Sequence, residues 1–533
     1  LQEALRCYWF VHLIVNFIEL PQVGSGIRFD QCFNCFYEED VKEGRLNREQ
    51  AQELVEFLFV KFQETGFLHA PIWSGFGGGA LGFQTVTIGG TDSEGRDITN
   101  EMSYIVLDAC KSVRAIVPPL ALRWHDEMPK KLVDKAIEVM ASGMPQPAIF
   151  NDKVVILRLV SLGCPIEDAR SYSINNCMVP TVPGKNFNHI SAWAGGIPVP
   201  LCLNAALGIE PLAIFGKTGE KTIAPANLIS MEELLDATIE NYRWLVHRLV
   251  LMGNITDALY KEYAPRPFLS AVIDDCIERA QDVREWNYIP DYRDITLFGL
   301  NTVADSLATV KKLVFDEKKV SMEKLVEALK NNWQGYEELH QACLNAPKFG
   351  NDDDYVDLIS REVARRISEE TRKCKTNLGT SVTVDGTAAT AWWSFGRVCA
   401  ATPDGRRAGD AFNDGTISPM AGMDKRGPTA VLKSVSKVDP LISWNHLFNQ
   451  TFMPQYLTGR NAELFAQYLK TFADLGIHHI QFTTVGRDIL EDAQEHPEKY
   501  PNLMVRVAGF AAYFIDLDKR IQDSIIARTP QCL

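Results

Sequence analysis

The spacing of apolar residues along the chain predicts an alternation of helices and short strands. Near the start, residues 8–20 form an apolar run that predicts a buried helix, and residues 47–62 repeat apolar positions at the period of a second helix. Between residues 101 and 170, helical segments alternate with short apolar strands at residues 120–124 and 148–150. This alternation is typical of an α/β fold.

Long helices dominate the middle of the chain. Residues 232–251 predict one that begins at the capping box Ser230-Met-Glu-Glu233. Further helical segments follow at residues 300–314, 322–333 and 359–373. Residues 375–420 return to strands and loops, and no internal repeat or Pro/Gly/Ser-rich linker marks a border. The pattern therefore favours one continuous domain.

Composition and charge narrow the classes of function. The 533 residues are 46% hydrophobic and 23% charged, which is typical of a globular protein. A formal net charge of −14 argues against nucleic acid or an anionic membrane as a partner. The twelve cysteines are dispersed, with one close pair at Cys32-Phe-Asn-Cys35, so we expect reduced thiols in a cytoplasmic protein without a metal site.

A glycine near the end of the chain is the first candidate for chemistry. Gly509 lies among apolar residues in Arg506-Val-Ala-Gly509-Phe, and an amphipathic run follows to Ile525-Ile-Ala-Arg-Thr529. A glycine in such a segment is most often a bend or a point of close backbone approach. Its Cα can also carry an unpaired electron, because a planar Cα radical is delocalised over both flanking amides.

A cysteine in the middle of the chain is the second candidate. Cys177 lies in Ser173-Ile-Asn-Asn176-Cys177-Met-Val-Pro180, without a neighbouring cation that would lower its pKa. Such a cysteine is most often an inert core residue. A neutral thiol in an apolar pocket can, however, donate a hydrogen atom to a carbon radical without any development of charge.

A third motif connects these two to a known family. Ala401-Thr-Pro-Asp-Gly405-Arg-Arg has the residues of a turn and leads to Asp414-Gly-Thr-Ile-Ser418-Pro. Together the three motifs resemble those of the glycyl radical enzymes, the family of pyruvate formate-lyase and the radical dehydratases. The resemblance runs along nearly the whole chain.

The resemblance implies a fold and two catalytic residues. The fold is an α/β barrel of ten strands, in which two parallel half-barrels enclose a cysteine loop and a glycine loop. Residues 1–480 would form the barrel domain and residues 481–533 a C-terminal glycyl radical domain. Because family members carry more sequence ahead of Leu1, we expect part of the barrel to be missing. Gly509 would store the radical, and Cys177 would become the thiyl that abstracts hydrogen from the substrate.

The neighbours of Cys177 depart from the best-known members of the family. Radical dehydratases and related lyases place a glutamate two residues after the thiyl cysteine, where this chain has Val179. Pyruvate formate-lyase has a second cysteine before it, where this chain has Asn176. It also has a downstream arginine that holds a carboxylate, and no arginine occurs here from Cys177 to Tyr242.

A single cysteine without a base fits hydrogen abstraction followed by carbon–carbon bond formation. The X-succinate synthases (alkyl- and arylalkylsuccinate synthases) add a hydrocarbon to fumarate in this way, and we expect this activity. The expected substrate-binding residues are Lys185, His189, Trp193 and Trp392. Fumarate is a dianion and needs cations. The candidate cations are Arg123, Arg397, Arg406, Lys185 and His189.

Three alternatives remain open. The chain could be a radical arylacetate decarboxylase in which Trp193, Trp392 and Trp393 hold a ring, although Val179 counts against it. It could be another carbon–carbon lyase, similar to formate acetyltransferase. It could also be an inactive barrel or scaffold subunit that keeps the motifs but holds no radical.

The resemblance also implies partners. A separate activating enzyme, with S-adenosylmethionine and an iron–sulfur cluster, would install the radical, and this chain would bind no cofactor of its own. The partners that we expect are this activating enzyme, a small-molecule substrate, and a second copy of the chain or small accessory subunits. An enzyme of this kind would be sensitive to oxygen and would serve anaerobic metabolism.

Overall fold

The computed structural model describes most of the chain. The described residues are 1–19, 26–65, 84–186, 193, 195–212, 219–285, 288–289, 293–387 and 389–532. Their α-helices are Gln2–Leu13, Phe29–Lys42, Arg48–Glu64, Glu101–Val113, Lys130–Ala141, Asp152–Ser161, Ile166–Arg170, Val199–Ala206, Met231–Tyr263, Pro267–Ala271, Cys276–Arg279, Leu300–Val310, Met322–Lys330, Glu337–Leu344, Asp354–Arg372, Ala391–Gly396, Pro428–Ser436, Arg460–Asp474, Arg487–Glu495 and Lys519–Ile526. No described helix is both long enough and apolar enough to cross a bilayer.

The predicted helices are present, with two differences. The helix Met231–Tyr263 begins where the capping box predicts, because the Ser230 hydroxyl accepts a hydrogen bond from the backbone N–H of Glu233 at 3.2 Å, but it continues well beyond residue 251. The first helix, Gln2–Leu13, is only half-buried. Phe10 is 63% exposed, so the prediction of a buried helix from residue 8 onward was wrong.

Fourteen strands are described and are numbered here in chain order. They are β1 (Ile27–Arg28), β2 (Val86–Gly89), β3 (Leu120–Trp124), β4 (Ala148–Asn151), β5 (Ser173–Asn175), β6 (Val179–Thr181), β7 (Gly196–Pro198), β8 (Asp294–Phe298), β9 (Thr383–Asp385), β10 (Asn449–Phe452), β11 (His479–Thr483), β12 (Met504–Arg506), β13 (Ala511–Tyr513) and β14 (Pro530–Gln531). The predicted strand at residues 120–124 is therefore β3, residue for residue.

The barrel is built from two groups of parallel strands. One sheet has the order β1-β2-β3-β4-β11-β10-β14, and every neighbouring pair is parallel except β4 with β11. A second sheet, β7-β8-β9, is also parallel and is extended by a parallel bridge between Val384 and Ser443. Within the first sheet, the antiparallel pair β4–β11 separates the parallel strands β1 to β4 from the parallel strands β11, β10 and β14. The predicted α/β fold is confirmed.

The strands of the barrel are buried on both faces. Every residue of β2, β3, β4, β8 and β11 is buried, as is usual where helices cover a parallel sheet. The predicted domain border after residue 480 falls inside β11. Because β14, from the end of the chain, also pairs with β10, the division at residues 480 and 481 stays a prediction.

Two short hairpins accompany the barrel. β5 pairs with β6 in one antiparallel hairpin, and β12 pairs with β13 in the other. The connection of the first hairpin contains Cys177 and that of the second contains Gly509. One apolar cluster includes residues of both tips, among them Cys177, Met178, Val507 and Phe510. The fold therefore brings two distant segments of the chain together.

Candidate active site

The hairpin β5–β6 holds Cys177 at its tip. Asn176 has a positive φ of 52°, a left-handed conformation that asparagine tolerates better than most residues, and the chain turns there. The hydroxyl of Thr85 donates to the carbonyl of Asn176. The backbone N–H of Ile174 donates to the hydroxyl of Thr87 at 2.9 Å. The segment that leads into β2, and β2 itself, therefore fix the tip of this hairpin.

The hairpin β12–β13 holds Gly509 at its tip. The backbone N–H of Val507 donates to the carbonyl of Phe510 at 3.0 Å, which closes a tight turn over residues 507–510. Gly509 has a φ of +79°, a conformation in which any other residue would be strained. The backbone conformation of this turn alone therefore favours glycine at position 509.

Cys177 lies directly against Gly509. A Cβ atom built on Gly509 would lie 2.9 Å from Sγ and 3.0 Å from Cα of Cys177, both closer than packed carbon atoms approach. One Cα–H bond of Gly509 therefore points at the cysteine side chain. Because only hydrogen fits between the two residues, the glycine is required by contact as well as by φ.

The backbone of Gly509 is held by a buried glutamine. Oε1 of Gln481, in β11, accepts a hydrogen bond from the Gly509 N–H at 3.2 Å and another from Nε of Arg506 at 2.7 Å. Its side-chain amide donates in turn to Oδ1 of Asn449 in β10. Gln481 is completely buried, so these bonds are shielded from water. Two barrel strands thus fix the position of the glycine.

Residues from two further sequence motifs contact the turn over residues 507–510 or support it. The guanidinium of Arg528 donates to the carbonyls of Arg506 at 2.6 Å and Val507 at 2.8 Å, and it forms an ion pair with Asp414. Nδ2 of Asn449 also donates to Asp414, at 3.1 Å. Arg528, from Ile525-Ile-Ala-Arg-Thr529, and Asp414, from Asp414-Gly-Thr-Ile-Ser418, therefore anchor the turn over residues 507–510. The spacing of these motifs in the sequence does not indicate this connection.

The thiol of Cys177 is neutral in this environment. Burial raises its pKa to about 12, and the two charged groups that act on it oppose each other: Arg506 lowers the pKa and Asp385 raises it. A neutral thiol is a hydrogen-atom donor and a poor nucleophile. Contact with a glycine Cα–H suits exchange of a hydrogen atom between sulfur and carbon.

The predicted substrate-binding residues have different surroundings. Trp392 is fully buried in the same apolar cluster as Cys177, and its indole N–H donates to the hydroxyl of Ser524 at 3.1 Å. Trp193 is half-buried, and its indole N–H donates to Asp257 at 2.8 Å.

Lys185 is partly exposed and donates to both carboxylate oxygens of Asp168, at 2.8 and 2.9 Å. Its charge is therefore already neutralised. His189 lies outside the described residues, so its prediction is left as it stands.

The described cations proposed for fumarate are engaged or exposed. Arg123 is buried and donates through two nitrogens to Asp152, at 3.0 and 2.7 Å. Arg406 is also buried and donates to Thr402 and to four backbone carbonyls. Arg397 is exposed and lies 5.2 Å from the Trp393 ring centroid. The geometry assigns none of these three to a dianion beside Cys177.

Sequence reasoning missed the polar residues around the two tips. Gln481 lies between Ile480 and Phe482 in β11, and a polar residue between two apolar ones was the available signal. Asn449 begins the mostly polar sequence Asn-Gln-Thr-Phe of β10, which gave no such signal. Asp385 gave no signal, because an aspartate before a glycine is ordinary turn chemistry. Among the described residues, no group of three or more His, Cys, Asp or Glu side chains could hold a metal ion.

Comparison with known proteins relates this geometry to two family models. The model described as pyruvate formate lyase-like matches residues 1–396, and the model described as glycine radical matches residues 413–515. Cys177 lies within the first match and Gly509 within the second.

Individual proteins are similar over the whole chain. Trans-4-hydroxy-L-proline dehydratase of Clostridioides difficile is 33% identical over 99% of this chain and 67% of its own length. Isethionate sulfite-lyase of Nitratidesulfovibrio vulgaris is 32% identical over 99% of this chain and 64% of its own length. The chain thus spans about two thirds of these relatives. The glycerol-bound B12-independent glycerol dehydratase of Clostridium butyricum superimposes with a TM-score of 0.91 at 34% identity, covering 100% of this chain and 67% of that one.

Proposed function

The chain belongs to the pyruvate formate lyase-like family of glycyl radical enzymes, and on that premise we propose that it is a radical lyase that eliminates a leaving group from a small hydroxylated substrate. In this proposal Gly509 stores the unpaired electron and Cys177 carries it to the substrate. The observation that supports the proposal most directly is the contact between the two residues, with the glycine Cα–H directed at the cysteine.

Transfer of the radical needs no movement of charge. The Gly509 Cα radical takes the hydrogen atom from the Cys177 thiol and leaves a thiyl, which then takes a hydrogen atom from a substrate carbon. After the elimination, the thiol returns a hydrogen atom to the product radical. Burial of both residues supports this role, because water and oxygen are kept from the intermediates. The raised pKa of Cys177 keeps the thiol protonated between turnovers.

Elimination is preferred to the addition of a hydrocarbon to fumarate. The relatives named above are two dehydratases and a sulfite-lyase, all named for removal of a group from their substrates. The described candidate cations also have protein partners or are exposed, which does not suit a dianion such as fumarate. An X-succinate synthase activity remains an untested expectation from the sequence and is not part of this proposal.

Decarboxylation of an arylacetate is the second candidate. The observation that favours it is aromatic: Trp392 and Trp444 are fully buried members of the cluster that contains Cys177. Their rings could hold an aromatic substrate by stacking. The products separate the two candidates, since elimination leaves a carbonyl compound or an alkene and decarboxylation leaves a methylarene and carbon dioxide.

Both candidates require a partner that forms the radical. Members of the family receive it from a separate activating enzyme that uses S-adenosylmethionine, and we propose the same for this chain. The activating enzyme removes a hydrogen atom from Gly509, so the turn over residues 507–510 must become accessible to it.

Anaerobic electron paramagnetic resonance of the complete gene product tests the proposal. After treatment with a cognate activating enzyme and S-adenosylmethionine, we expect a doublet from the single α-hydrogen of Gly509, which collapses when glycine is deuterated. The activated protein is then given vicinal diols, hydroxyproline, isethionate and arylacetates, and products are followed by mass spectrometry. Absence of a doublet overturns the proposal. A doublet with methylarene as the sole product selects the second candidate.

A further inference from the structure

The second half of the long helix Met231–Tyr263 has apolar side chains on two opposite faces. On its inner face, Val246 and Val250 are buried. On its outer face, four large apolar side chains are each more than half exposed: Leu251, Met252, Ile255 and Leu259. A helix that is apolar on both faces is normally buried on both. We therefore expect the outer face to be covered by another surface.

The exposed apolar residues form one continuous stripe. Leu251, Ile255 and Leu259 are spaced four residues apart, so their side chains lie above one another on the same face of the helix. Met252 lies beside them and widens the stripe. Single exposed apolar residues are common on protein surfaces, but a contiguous apolar patch marks a surface that contacts another molecule.

The two ends of the stripe have opposite charges. Arg248 precedes Leu251 by about one turn, Glu262 follows Leu259 by about one turn, and both charged residues are exposed. The guanidinium of Arg248 lies 3.6 Å from the centroid of the Trp244 ring and donates to the Trp244 carbonyl at 3.0 Å. Within the described ranges, neither Arg248 nor Glu262 forms an ion pair. Both charges are thus available to a partner.

This pattern is complementary to itself when a second copy of the helix runs in the opposite direction. With Ile255 on a two-fold axis, Leu251 of one copy faces Leu259 of the other, and Arg248 of one copy faces Glu262 of the other. A parallel pair would instead set each charge against its own kind. A lipid surface fits poorly, because membrane-binding helices have basic residues beside their apolar face and this chain has a net charge of −14.

We propose that the outer face of this helix, from residue 248 to residue 262, is the interface through which two copies of the chain form an antiparallel dimer. The face is about 21 Å long and forms the centre of the contact. The same register sets Tyr263, which is 73% exposed, against the exposed His247 of the other copy. Because each copy has one such face and pairs it with the same face, the assembly closes at two copies. This inference does not depend on the function proposed above.

Sedimentation equilibrium of the complete gene product over a range of concentrations tests the dimer. We expect wild type to dimerise. Ile255→Glu sets two carboxylates against each other on the axis, so we expect the dissociation constant of the dimer to rise by about 100-fold or more. Leu358→Glu is the matched control, because Leu358 is 48% exposed on another long helix, Asp354–Arg372. It should dimerise like wild type, and thermal unfolding should show that both variants are folded.

Charge reversal tests the antiparallel register. Arg248→Glu and Glu262→Arg each set like charges opposite one another, twice in every dimer because of the two-fold axis. We expect either single variant to raise the dissociation constant by about 10-fold or more. The double variant restores both ion pairs with their signs exchanged, so its dissociation constant should return to within about threefold of wild type. A general loss of structure would not be reversed by a second substitution.

Thiol labelling tests whether the stripe is covered by a second copy or by the same chain. The cysteine of Ile255→Cys should react with a maleimide when the complete protein is diluted below its dissociation constant, and should be protected above it. The labelled peptide is identified by mass spectrometry, which separates it from the native exposed cysteines Cys7, Cys32, Cys35 and Cys532.

Four results would overturn the proposal. Wild type could be monomeric at every concentration, or Ile255→Glu could dimerise as tightly as Leu358→Glu, which would place the contact on another face. The double charge reversal could fail to restore association, which would exclude the antiparallel register. The thiol of Ile255→Cys could be protected at every concentration, which would show that another part of the same chain covers the stripe. The glycyl doublet and turnover are measured separately, so each of these results leaves the proposed function intact.

Discussion

At the scale of single residues, the candidate site depends on the absence of a side chain. Gly509 combines a left-handed backbone with direct contact to Cys177, and either constraint alone would select glycine. The role of Gly509 as a bend in the backbone and its role as a carrier of the radical are therefore compatible. The same lack of a Cβ that permits the turn also exposes a Cα–H bond to the thiol.

Gly509→Ala separates contact from backbone strain. We expect no glycyl radical and a loss of about 1–3 kcal/mol in the free energy of unfolding, because the added methyl collides with Cys177 and φ is unfavourable for alanine. Gly476→Ala is the matched control, since its φ of +69° imposes similar strain but no atom lies within 4 Å of the added Cβ. Thermal unfolding and paramagnetic resonance measure both effects. Equal losses of stability in the two variants would contradict the contact.

Cys177→Ser tests whether the thiol carries the radical onward. The hydroxyl is similar in size, but its O–H bond is too strong to give a hydrogen atom to a glycyl radical. We expect the doublet at Gly509 to persist while turnover and deuterium exchange into the substrate disappear. Cys164→Ser is the control, because Cys164 is another buried thiol in the same apolar cluster. Turnover by Cys177→Ser would remove this cysteine from the mechanism.

At the scale of elements, the periodic segments are the part that the sequence predicts best. β3 occupies the predicted residues, because the mainly apolar run Leu120-Ala-Leu-Arg-Trp124 begins directly after Pro118-Pro119 and ends before the polar His125-Asp126. The predicted end of the helix Met231–Tyr263 was too early, because Gly253-Asn254 resembles the end of a helix, whereas the chain stays helical until just before Ala264-Pro265. The role of Asp414-Gly-Thr-Ile-Ser418 could not be predicted from the sequence either. Asp414 contacts Arg528 and Asn449, and both of these residues come from distant segments of the chain.

The attachment of the C-terminal strand predicts a dependence on pH. Asp424 accepts hydrogen bonds from Thr529 and Gln531 at β14, and burial raises its pKa to about 7. In the unfolded chain this carboxyl loses its proton near pH 4. Between about pH 4 and pH 7 the folded form therefore binds more protons than the unfolded form, so the contribution of Asp424 to stability falls as pH rises, by at most about 1.4 kcal/mol per pH unit.

Asp424→Asn should remove this dependence. An amide can accept from Gln531 and donate to the hydroxyl of Thr529, so both bonds can be kept without a buried charge. We expect the variant to gain stability relative to wild type as pH increases from 4.5 to 8, measured by thermal unfolding and by amide exchange near β14. Asp474→Asn, at an exposed site on the helix Arg460–Asp474, is the control. A constant difference between Asp424→Asn and wild type would contradict the assignment.

At the scale of the whole molecule, the barrel brings together what the sequence keeps apart. The α/β class and the two catalytic candidates were predictable, because the motifs around Cys177 and Gly509 are local. The expectation of fumarate as a substrate rested on a single cysteine without a neighbouring base, and it required cations whose surroundings no local pattern specifies. Arg123 and Arg406 proved to be buried against protein acceptors, which only the assembled barrel determines.

The enclosure of Gly509 creates a conflict between protection and activation. The glycine is buried against Cys177, so an activating enzyme can reach its Cα–H only after the turn over residues 507–510 leaves the barrel. Arg528 opposes this release through its bonds to the carbonyls of Arg506 and Val507 and its ion pair with Asp414. Opening of the turn should therefore be governed by this one guanidinium more than by any exposed ion pair.

Arg528→Lys tests this argument, because a single ammonium cannot reproduce the forked contacts. We expect the opening of the turn to become easier by about 1–3 kcal/mol. The glycyl doublet should then form faster with the activating enzyme, amide exchange over residues 504–513 should rise, and cleavage of the radical form by oxygen at Gly509 should accelerate. Arg487→Lys is the matched control, since exposed Arg487 also donates to a backbone carbonyl, that of Ile526 at 3.0 Å. If Arg528→Lys loses stability but gains the radical no faster than Arg487→Lys, release of the turn does not limit activation.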